Sequence, residues 1–403
     1  MNDNQELNAR RRTLLKQGAA LGGVAALGVL PAFTRAQSDK IRIGLMLPYT
    51  GTYAQLGVAI ENGLRLAIDE NGGKIGGREV EFFKVDDESD PAKATDNVNR
   101  LVTRDKVDVL VGTVHSGVAL AMVRVAKETG TLLVIPNAGA DAATGPLCAP
   151  NIFRTSFANS QTGYPMGKVL ADRGVKTAVT LSWKYAAGEE SVAGFKDGFS
   201  RGGGKVLKEL WLPFPNVEFQ PLLTEIASLK PDAVYTFFAG AGAVKFLKDY
   251  QAAGLKGKIP LYGSGFLTDG VLEAAGDAAE GVETTLHYAD SLETPRDKTF
   301  RLAYAKRFKM QPDVYAVQGY DTGLLLVLAF SKTKGAVDKP ALIKAMEGAV
   351  IDSPRGQWRM SKAHNPVQDL YLRKVVGQQN RLVNVAVKGL DYPPADRCKM
   401  ASS

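Results

Sequence analysis

Two short polar segments in the first half of the chain could bind a small solute. His115-Ser116 follows an apolar, strand-like stretch, and a helix predicted to begin at Ser116 would offer free backbone N–H groups and a favourable dipole to an anion. His115 could add a charge-assisted hydrogen bond, or could simply pack as an imidazole at a strand end. Asn137-Ala138-Gly139 follows a second apolar stretch, where Asn137 could hydrogen-bond a solute and Gly139 would allow close approach to the backbone. We therefore predict a solute site that includes these five residues.

Aromatic side chains are concentrated where strands of the second half are predicted to end. They are Trp183, Tyr185, Phe237, Phe238 and Phe266. A single aromatic residue more often packs in a core. Five at three adjacent loops indicate a binding wall, because ligand pockets combine apolar surfaces with few polar groups. Tyr53, in the loop after the first predicted strand, is a further candidate for a wall or lid.

A catalytic or metal site has little support in the sequence. The chain has three histidines, His115, His287 and His364, and no HExxH motif, GxSxG motif or Cys/His cluster. The adjacent His115-Ser116 pair does not make a catalytic triad. We therefore predict no cofactor and no metal. The alternative class is an enzyme, and turnover of a bound ester or amide would favour it.

The charge of the chain argues against a nucleic-acid partner. Its formal charge of +8 comes from 50 basic and 42 acidic residues that are spread evenly. Hydrophobic residues make up 45% of the 403 positions, enough for one or two large cores.

The elements that must position these residues alternate between strand and helix. Ile41–Leu47 predicts a buried strand, and apolar residues spaced along 56–68 predict a helix that ends at Asn71-Gly72-Gly73. Asp90-Pro91 predicts a helix start. Because the alternation recurs after Phe157, we predict an α/β fold with two Rossmann-like units, each with a parallel sheet flanked by helices. Near the C-terminus, residues 357–360 and 371–376 predict an antiparallel hairpin.

The first 36 residues have the features of an export signal. A basic stretch at Arg10-Arg11-Arg12 precedes a short apolar run, and Thr34-Arg35-Ala36 is typical of a cleavage site, so we predict cleavage near Ala36. The apolar run is too short to span a bilayer. The arginines favour the twin-arginine route, with an ordinary Sec signal as the alternative.

The chain has two cysteines, Cys148 and Cys398. In an oxidising compartment we predict that they form a disulfide, which would tie the C-terminal tail to the first unit. The alternative is two free thiols.

Several segments, in order along the mature chain, resemble the type I periplasmic solute-binding proteins of ABC importers, in the leucine/isoleucine/valine-binding branch. The resemblance rests on their order and spacing, since no single segment is decisive. They are Gly51–Gly57, Asn71–Gly77, Asp86–Pro91, Val111-Gly112, Ile135-Pro136, Asn151–Thr155, Gly194–Phe199 and Ala252–Leu255.

The resemblance implies two lobes joined by a hinge of three crossovers, with the solute clamped between them. We expect one lobe at 41–155 plus 289–358, the other at 156–288 plus 359–390, and a tail at 391–403. It also implies a periplasmic location and delivery of solute to an inner-membrane ABC permease. We expect a monomer. A receptor that serves a sensor, with the same fold and cleft, is the alternative.

One departure from the family pattern narrows the class of solute that we expect. Amino-acid-binding relatives carry a Gly-Pro-Glu-type segment whose carboxylate pairs with the ammonium of the solute, whereas this chain has Gly263-Ser264-Gly265. A buried ammonium without a partner costs several kcal/mol. We therefore expect a carboxylate with an aromatic or apolar body. A branched-chain amino acid or an amide is the alternative. The resemblance also places His115-Ser116 at the position where a serine meets the solute's carboxylate, and makes 137–140 the second contact segment of the first lobe. It implies that Gly139 replaces a threonine hydroxyl there.

Overall fold

The computed structural model describes residues 40–391 and 397–400. In these residues fifteen strands form two sheets that are flanked by eleven α-helices. The predicted signal segment, 1–36, lies outside the described residues.

The first sheet is almost entirely parallel. Its strands are β1 (Lys40–Leu47), β2 (Lys74–Ile75), β3 (Arg78–Asp86), β4 (Val109–Val111), β5 (Leu132–Ile135) and β6 (Ile152–Arg154). They lie in the order β2-β3-β1-β4-β5-β6, and only β2 is antiparallel to its neighbour. Helices α1 (Ala54–Glu70), α2 (Pro91–Asn99) and α3 (Ser116–Thr129) connect them. Because the long connections are helical, both faces of the sheet are covered, and its central strands β4 and β5 are apolar throughout, as is β1 from Ile43 onward.

The second sheet combines a parallel half with an antiparallel half. The parallel strands are β7 (Thr177–Trp183), β8 (Lys205–Leu212), β9 (Ala233–Phe237), β10 (Leu261–Ser264) and β11 (Glu283–Leu286). The antiparallel strands are β12 (Val350–Ile351), β13 (Trp358–Met360), β14 (Pro366–Val376) and β15 (Gln379–Leu390). The order is β12-β13-β14-β11-β10-β9-β7-β8, and β15 pairs with β14. The helices before and between the parallel strands are α4 (Asn159–Asp172), α5 (Ala186–Arg201), α6 (Gln220–Leu229), α7 (Gly240–Ala252) and α8 (Leu272–Ala275).

Three further helices follow β11, and one of them packs closely on the first sheet's α1. They are α9 (Pro295–Phe308), α10 (Val314–Lys332) and α11 (Lys339–Met346). A Cβ added at Gly63 of α1, or at Gly319 of α10, would lie 1.9 Å from a carbonyl oxygen of the other helix, so only glycine permits this approach. Among the described helices α10 alone is long and apolar enough to cross a membrane, but 78% of its apolar window is buried in the protein, as expected of a core helix.

Most predicted elements are present, and two local predictions are confirmed closely. The predicted strand at 41–47 is β1, and Asp90 caps α2 by accepting a hydrogen bond from the Ala92 backbone N–H at 2.9 Å, with Pro91 as the first helical residue. The helices α9, α10 and α11 have the same kind of start, because the side chains of Thr294, Asp313 and Asp338 each accept a hydrogen bond from the first turn.

The predicted C-terminal hairpin is wrong in its partners. Residues 371–376 pair with β15 through a turn at Gly377 and Gln378, which both have positive φ, and β13 pairs only with the first two residues of β14. The prediction missed β15 because most of its side chains are exposed and no apolar face marks it. It also missed the three-residue β6 and the helix α4.

A disulfide joins Cys148 to Cys398, with 5.7 Å between the two Cα atoms. It links the short segment 397–400 to the loop before β6 across 250 residues of sequence. The proposed lobe boundaries stay a prediction. The chain leaves the first sheet after β6, and returns to pack α10 on α1 after β11.

Candidate functional site

A cavity of about 280 Å³ lies at the carboxyl ends of strands from both sheets. This is the edge at which open α/β sheets bind ligands. The described residues that line it are Tyr53, Leu56, Val114, Asn137, Gly139, Phe157, Asn159, Tyr185, Ala187, Phe237, Ala239, Phe266 and Tyr315. Six of these thirteen side chains are aromatic, and none carries a charge.

Aromatic residues from the two sheets meet over this cavity. Tyr53, which follows β1, and Tyr185, which precedes α5, place their hydroxyl oxygens 2.7 Å apart, and either hydroxyl can donate. Phe214 covers both, with its ring centroid 5.3 Å from Tyr53 and 5.2 Å from Tyr185. On the other wall Phe266 contacts Phe157 at 4.8 Å between centroids. The rings therefore enclose an apolar, flat-walled space.

The polar side of the cavity is built from two asparagines. Asn137 Nδ2 donates to Gln318 Oε1 of α10 at 2.6 Å. Asn159 Nδ2 donates to Ser116 Oγ at 3.1 Å and to Glu190 Oε2 at 2.7 Å. Glu190 Oε2 also accepts from the Asp141 backbone N–H at 3.0 Å. One carboxylate of α5 thus holds a cavity residue and the loop after β5 together.

The position of the Asn159 side chain leaves room only for a glycine at position 139. A Cβ added at Gly139 would lie 2.3 Å from Asn159 Oδ1 and 2.5 Å from Phe157. The sequence resemblance implied a missing hydroxyl at this position, and the structure places the Asn159 amide in that space.

The carboxyl of Glu190 has a raised pKa, about 7, because burial disfavours its charged form and the Asp141 carboxylate lies nearby. Since the folded-state pKa exceeds the unfolded value, the protein gains stability as the pH falls from about 8 towards 5.

We expect Glu190→Gln to raise the free energy of unfolding by about 1 kcal/mol at pH 8 and hardly at all at pH 5.5. Urea denaturation at both pH values tests this. Glu189→Gln, on the exposed face of the same helix, is the control and should show no such difference. An equal effect of Glu190→Gln at both pH values would contradict the prediction.

His115 and Ser116 support the cavity from behind. His115 Nδ1 accepts a hydrogen bond from the Gly117 backbone N–H at 3.1 Å and caps α3, while its ring stacks on Tyr185 at 4.6 Å. Burial lowers the pKa of His115 to about 4. The imidazole is therefore neutral at pH 7, and since Nδ1 accepts from Gly117, the ring proton is on Nε2. The hydrogen bond from His115 to a solute carboxylate stays a prediction. Ser116 is fully buried, and its hydroxyl accepts a hydrogen bond from the cavity residue Asn159.

The structure gathers the other sequence-predicted residues into two groups. Tyr53, Asn137, Gly139, Tyr185, Phe237 and Phe266 line the cavity directly. The second group lies behind the residues that line the cavity and consists of Ala138, Trp183, Phe238 and Gly265. The Trp183 ring packs edge-on against Tyr53, with 6.2 Å between ring centroids, and against Phe238, with 5.0 Å. The Ala138 N–H donates to the Thr113 carbonyl oxygen.

Sequence reasoning missed Leu56, Val114, Phe157, Asn159, Ala187, Ala239 and Tyr315 of the lining, and the covering Phe214. Phe157 and Asn159 follow β6, which was itself unrecognised, so the strand-end rule could not be applied to them. Tyr315 stands in the first turn of α10, directly after the Asp313 cap, where its spacing matches that of any core helix. No sequence signal separates it from a core tyrosine.

Gly265 does not open into the cavity. A Cβ added there would lie 2.4 Å from Leu286 Cβ and 2.5 Å from Arg373 Nη2. The neighbouring Phe266 faces the cavity instead. No group of three or more His, Cys, Asp or Glu side chains within 40–391 and 397–400 is placed to hold a metal ion.

The fold and the enclosed cavity define a two-lobed solute-binding protein. The chain matches the Periplasmic binding protein family over residues 40–380 and belongs to this family. It is similar to a solute-binding protein of an ABC transporter from Rhodopseudomonas palustris, solved in complex with benzoate: 51% identity, TM-score 0.85, 87% of this chain and 97% of that chain covered.

Two further relatives are similar to this chain over most of its length. A solute-binding protein of an ABC transporter from Rhodopseudomonas palustris BisB5, in complex with 3,4-dihydroxybenzoic acid, has 33% identity and a TM-score of 0.82 over 87% of this chain and 99% of that chain. The Leu/Ile/Val-binding protein homolog 6 of Brucella melitensis is 29% identical over 87% of this chain and 92% of its own length.

Proposed function

We propose that this protein binds an aromatic monocarboxylate of the benzoate class between its lobes and delivers it to an ABC permease in the inner membrane. The observation that carries the proposal is the lining of the cavity, which has six aromatic side chains and no charged one among the described residues. Flat aromatic walls with few polar groups suit a single ring. The benzoate complex of the 51% identical relative supports the same class.

The carboxylate of such a solute would lie towards the start of α3. Asn159, which lines the cavity, is hydrogen-bonded to Ser116 in the first turn of this helix. The helix dipole favours an anion there, and neutral donors on the polar side can complete its hydrogen bonds. The ring would fill the space between Phe157, Phe266 and Tyr185.

An α-amino acid fits this cavity less well. Its ammonium would need a carboxylate partner, and the described lining residues include none. The nearest acid on the polar side, Glu190, already accepts hydrogen bonds from Asn159 and Asp141. A branched-chain amino acid or an amide is the alternative, and the names of the Leu/Ile/Val-binding relatives favour it.

In this proposal the solute selects a closed arrangement of lobes at 41–155 plus 289–358 and 156–288 plus 359–390. The 2.7 Å contact between the Tyr53 and Tyr185 hydroxyls would form on closure, because the proposed boundaries assign these two residues to different lobes. Closure is a hinge motion, driven by the higher affinity of the closed form for the solute.

Isothermal titration with benzoate, benzamide, phenylalanine and leucine tests the solute class. Benzamide keeps the ring and removes the charge, whereas phenylalanine keeps a ring and a carboxylate and adds an ammonium. We expect benzoate to bind with a Kd of about 10 µM or lower, and the other three at least about 30-fold more weakly. Tight leucine binding without a response to benzoate would overturn the proposal.

The family implies a periplasmic location, and the proposed partner is the permease complex; a sensor is the alternative. Permease and ATPase genes beside its own gene would identify a partner importer. Benzoate-loaded protein should stimulate the ATPase of that importer, whereas a sensor role would leave the ATPase unchanged. We expect the protein to act as a monomer and to release its solute chemically intact, since no enzyme activity is proposed.

A further inference from the structure

One polar group of the cavity has no hydrogen-bond partner among the described residues: the hydroxyl of Tyr315. Tyr315 lies in the first turn of α10, is 1% exposed and lines the cavity, with its ring 5.9 Å from that of Phe266. A buried hydroxyl without a partner has lost its hydrogen bonds to water and gained none in return, which is unfavourable. A solute that forms a hydrogen bond with the Tyr315 hydroxyl should therefore bind more tightly than a solute that cannot form it.

Two more hydroxyls line the same space. Tyr53 and Tyr185 share one hydrogen bond, so one of their two O–H groups remains free to donate. Burial raises the pKa of all three phenols, and the three groups influence one another electrostatically. They are therefore neutral hydroxyls, each able to donate and to accept.

The surroundings of Tyr315 favour a neutral solute group over an anion. The carboxyl of Asp313 caps α10 by accepting from the Ala316 N–H, and a Cβ at Gly270 would lie within 3.5 Å of both this carboxyl and the Tyr315 ring. Asp269 accepts from the Val314 N–H at 3.4 Å, on the same turn, although Arg373 offsets its charge. A solute carboxylate at Tyr315 would meet this acidic surrounding. The start of α3 offers it a helix dipole, and the one carboxyl bonded to Asn159 on that side is that of Glu190.

We infer that Tyr315 hydrogen-bonds a hydroxyl on the ring of the solute, so that the protein prefers hydroxybenzoates to benzoate. The inference rests on the proposed function, since it assumes an aromatic carboxylate in this cavity. It makes Tyr315 a specificity-determining residue: a site built to hydrogen-bond a hydroxyl discriminates against the analogue that lacks it, because its own polar group is then left unpaired.

Titration of the wild type and Tyr315→Phe with benzoate, 3-hydroxybenzoate and 4-hydroxybenzoate tests the inference. We expect the wild type to bind one of the hydroxybenzoates about tenfold more tightly than benzoate, or better. In Tyr315→Phe this ratio should fall to about one, while the Kd for benzoate stays within about twofold. Tyr250→Phe is the matched control: its buried hydroxyl donates to the Ile259 carbonyl away from the cavity, and the ratio should not change.

The outcomes separate the two claims. If none of the three acids binds, the proposed function fails and the inference falls with it. If the acids bind but the wild type shows no preference, or if Tyr315→Phe weakens benzoate and hydroxybenzoates equally, only the inference is overturned. An equal loss would place Tyr315 against the carboxylate. Should Tyr315→Phe not fold, the wild-type ratio alone decides.

Discussion

Replacing Gly265 with glutamate is expected to lower the free energy of unfolding by about 2–3 kcal/mol and to create no measurable affinity for leucine. The sequence resemblance suggests the opposite, because Gly265 stands where amino-acid-binding relatives carry the acid that pairs with the ammonium. In the structure a side chain at Gly265 would not point into the cavity. It would meet Leu286 Cβ and Arg373 Nη2 within about 2.5 Å, and both are fixed in a packed core.

Urea denaturation and titration with leucine measure the two effects of Gly265→Glu. Gly265→Ala is the informative comparison, because the clash begins at Cβ and should therefore produce most of the loss without any charge. A stable Gly265→Glu protein that binds leucine would contradict this prediction, and would mean that the loop after β10 can turn its side chain into the cavity.

Gly265 also illustrates which parts of the site the sequence could predict. The sequence shows that no acid stands at this position, but it does not show which way the loop faces. The orientation of the loop depends on Arg373, 108 residues further along, which donates to the Gly265 carbonyl oxygen at 2.9 Å. Its neighbour Phe266 takes the cavity-facing position. Local sequence identified the loop, and the contact that orients the loop is long-range.

For the fold and for the polar contacts, too, features with a local sequence signal were predictable and features that depend on long-range contacts were not. Strands with continuous apolar runs, such as β1, and helices with a capping residue, such as α2, were predictable because their signals are local. The strand β15 was not, since its side chains are mostly exposed and its pairing depends on the turn at Gly377-Gln378. Asn159 was missed for a related reason: its partners Ser116 and Glu190 lie 43 and 31 residues away.

A fully buried ion pair stands behind the cavity wall. Arg373 is completely buried, and its Nη1 lies 2.6 Å from Asp269 Oδ2 and 2.8 Å from the Tyr288 carbonyl oxygen. Burial raises the pKa of Asp269 to about 6 in spite of this cation. The arginine therefore joins β10, β11 and β14 at one point, and its removal would take the balancing cation from Asp269 and a hydrogen-bond donor from the Tyr288 and Gly265 carbonyl oxygens.

We accordingly expect Arg373→Met to lower the free energy of unfolding by about 3–5 kcal/mol at pH 8, the usual cost of removing one partner of a buried ion pair. The loss should be smaller at pH 5, because the carboxyl of Asp269, no longer balanced by a cation, is then protonated in the folded protein. Adding Asp269→Asn should restore part of the stability at pH 8. Arg173→Met is the matched control. Its ion pair with Glu283 at 2.5 Å is partly exposed, so its loss should cost at most about 1 kcal/mol in the same urea denaturation. A loss of similar size in both variants, or one that does not depend on pH, would show that Arg373 acts by packing and not by its charge.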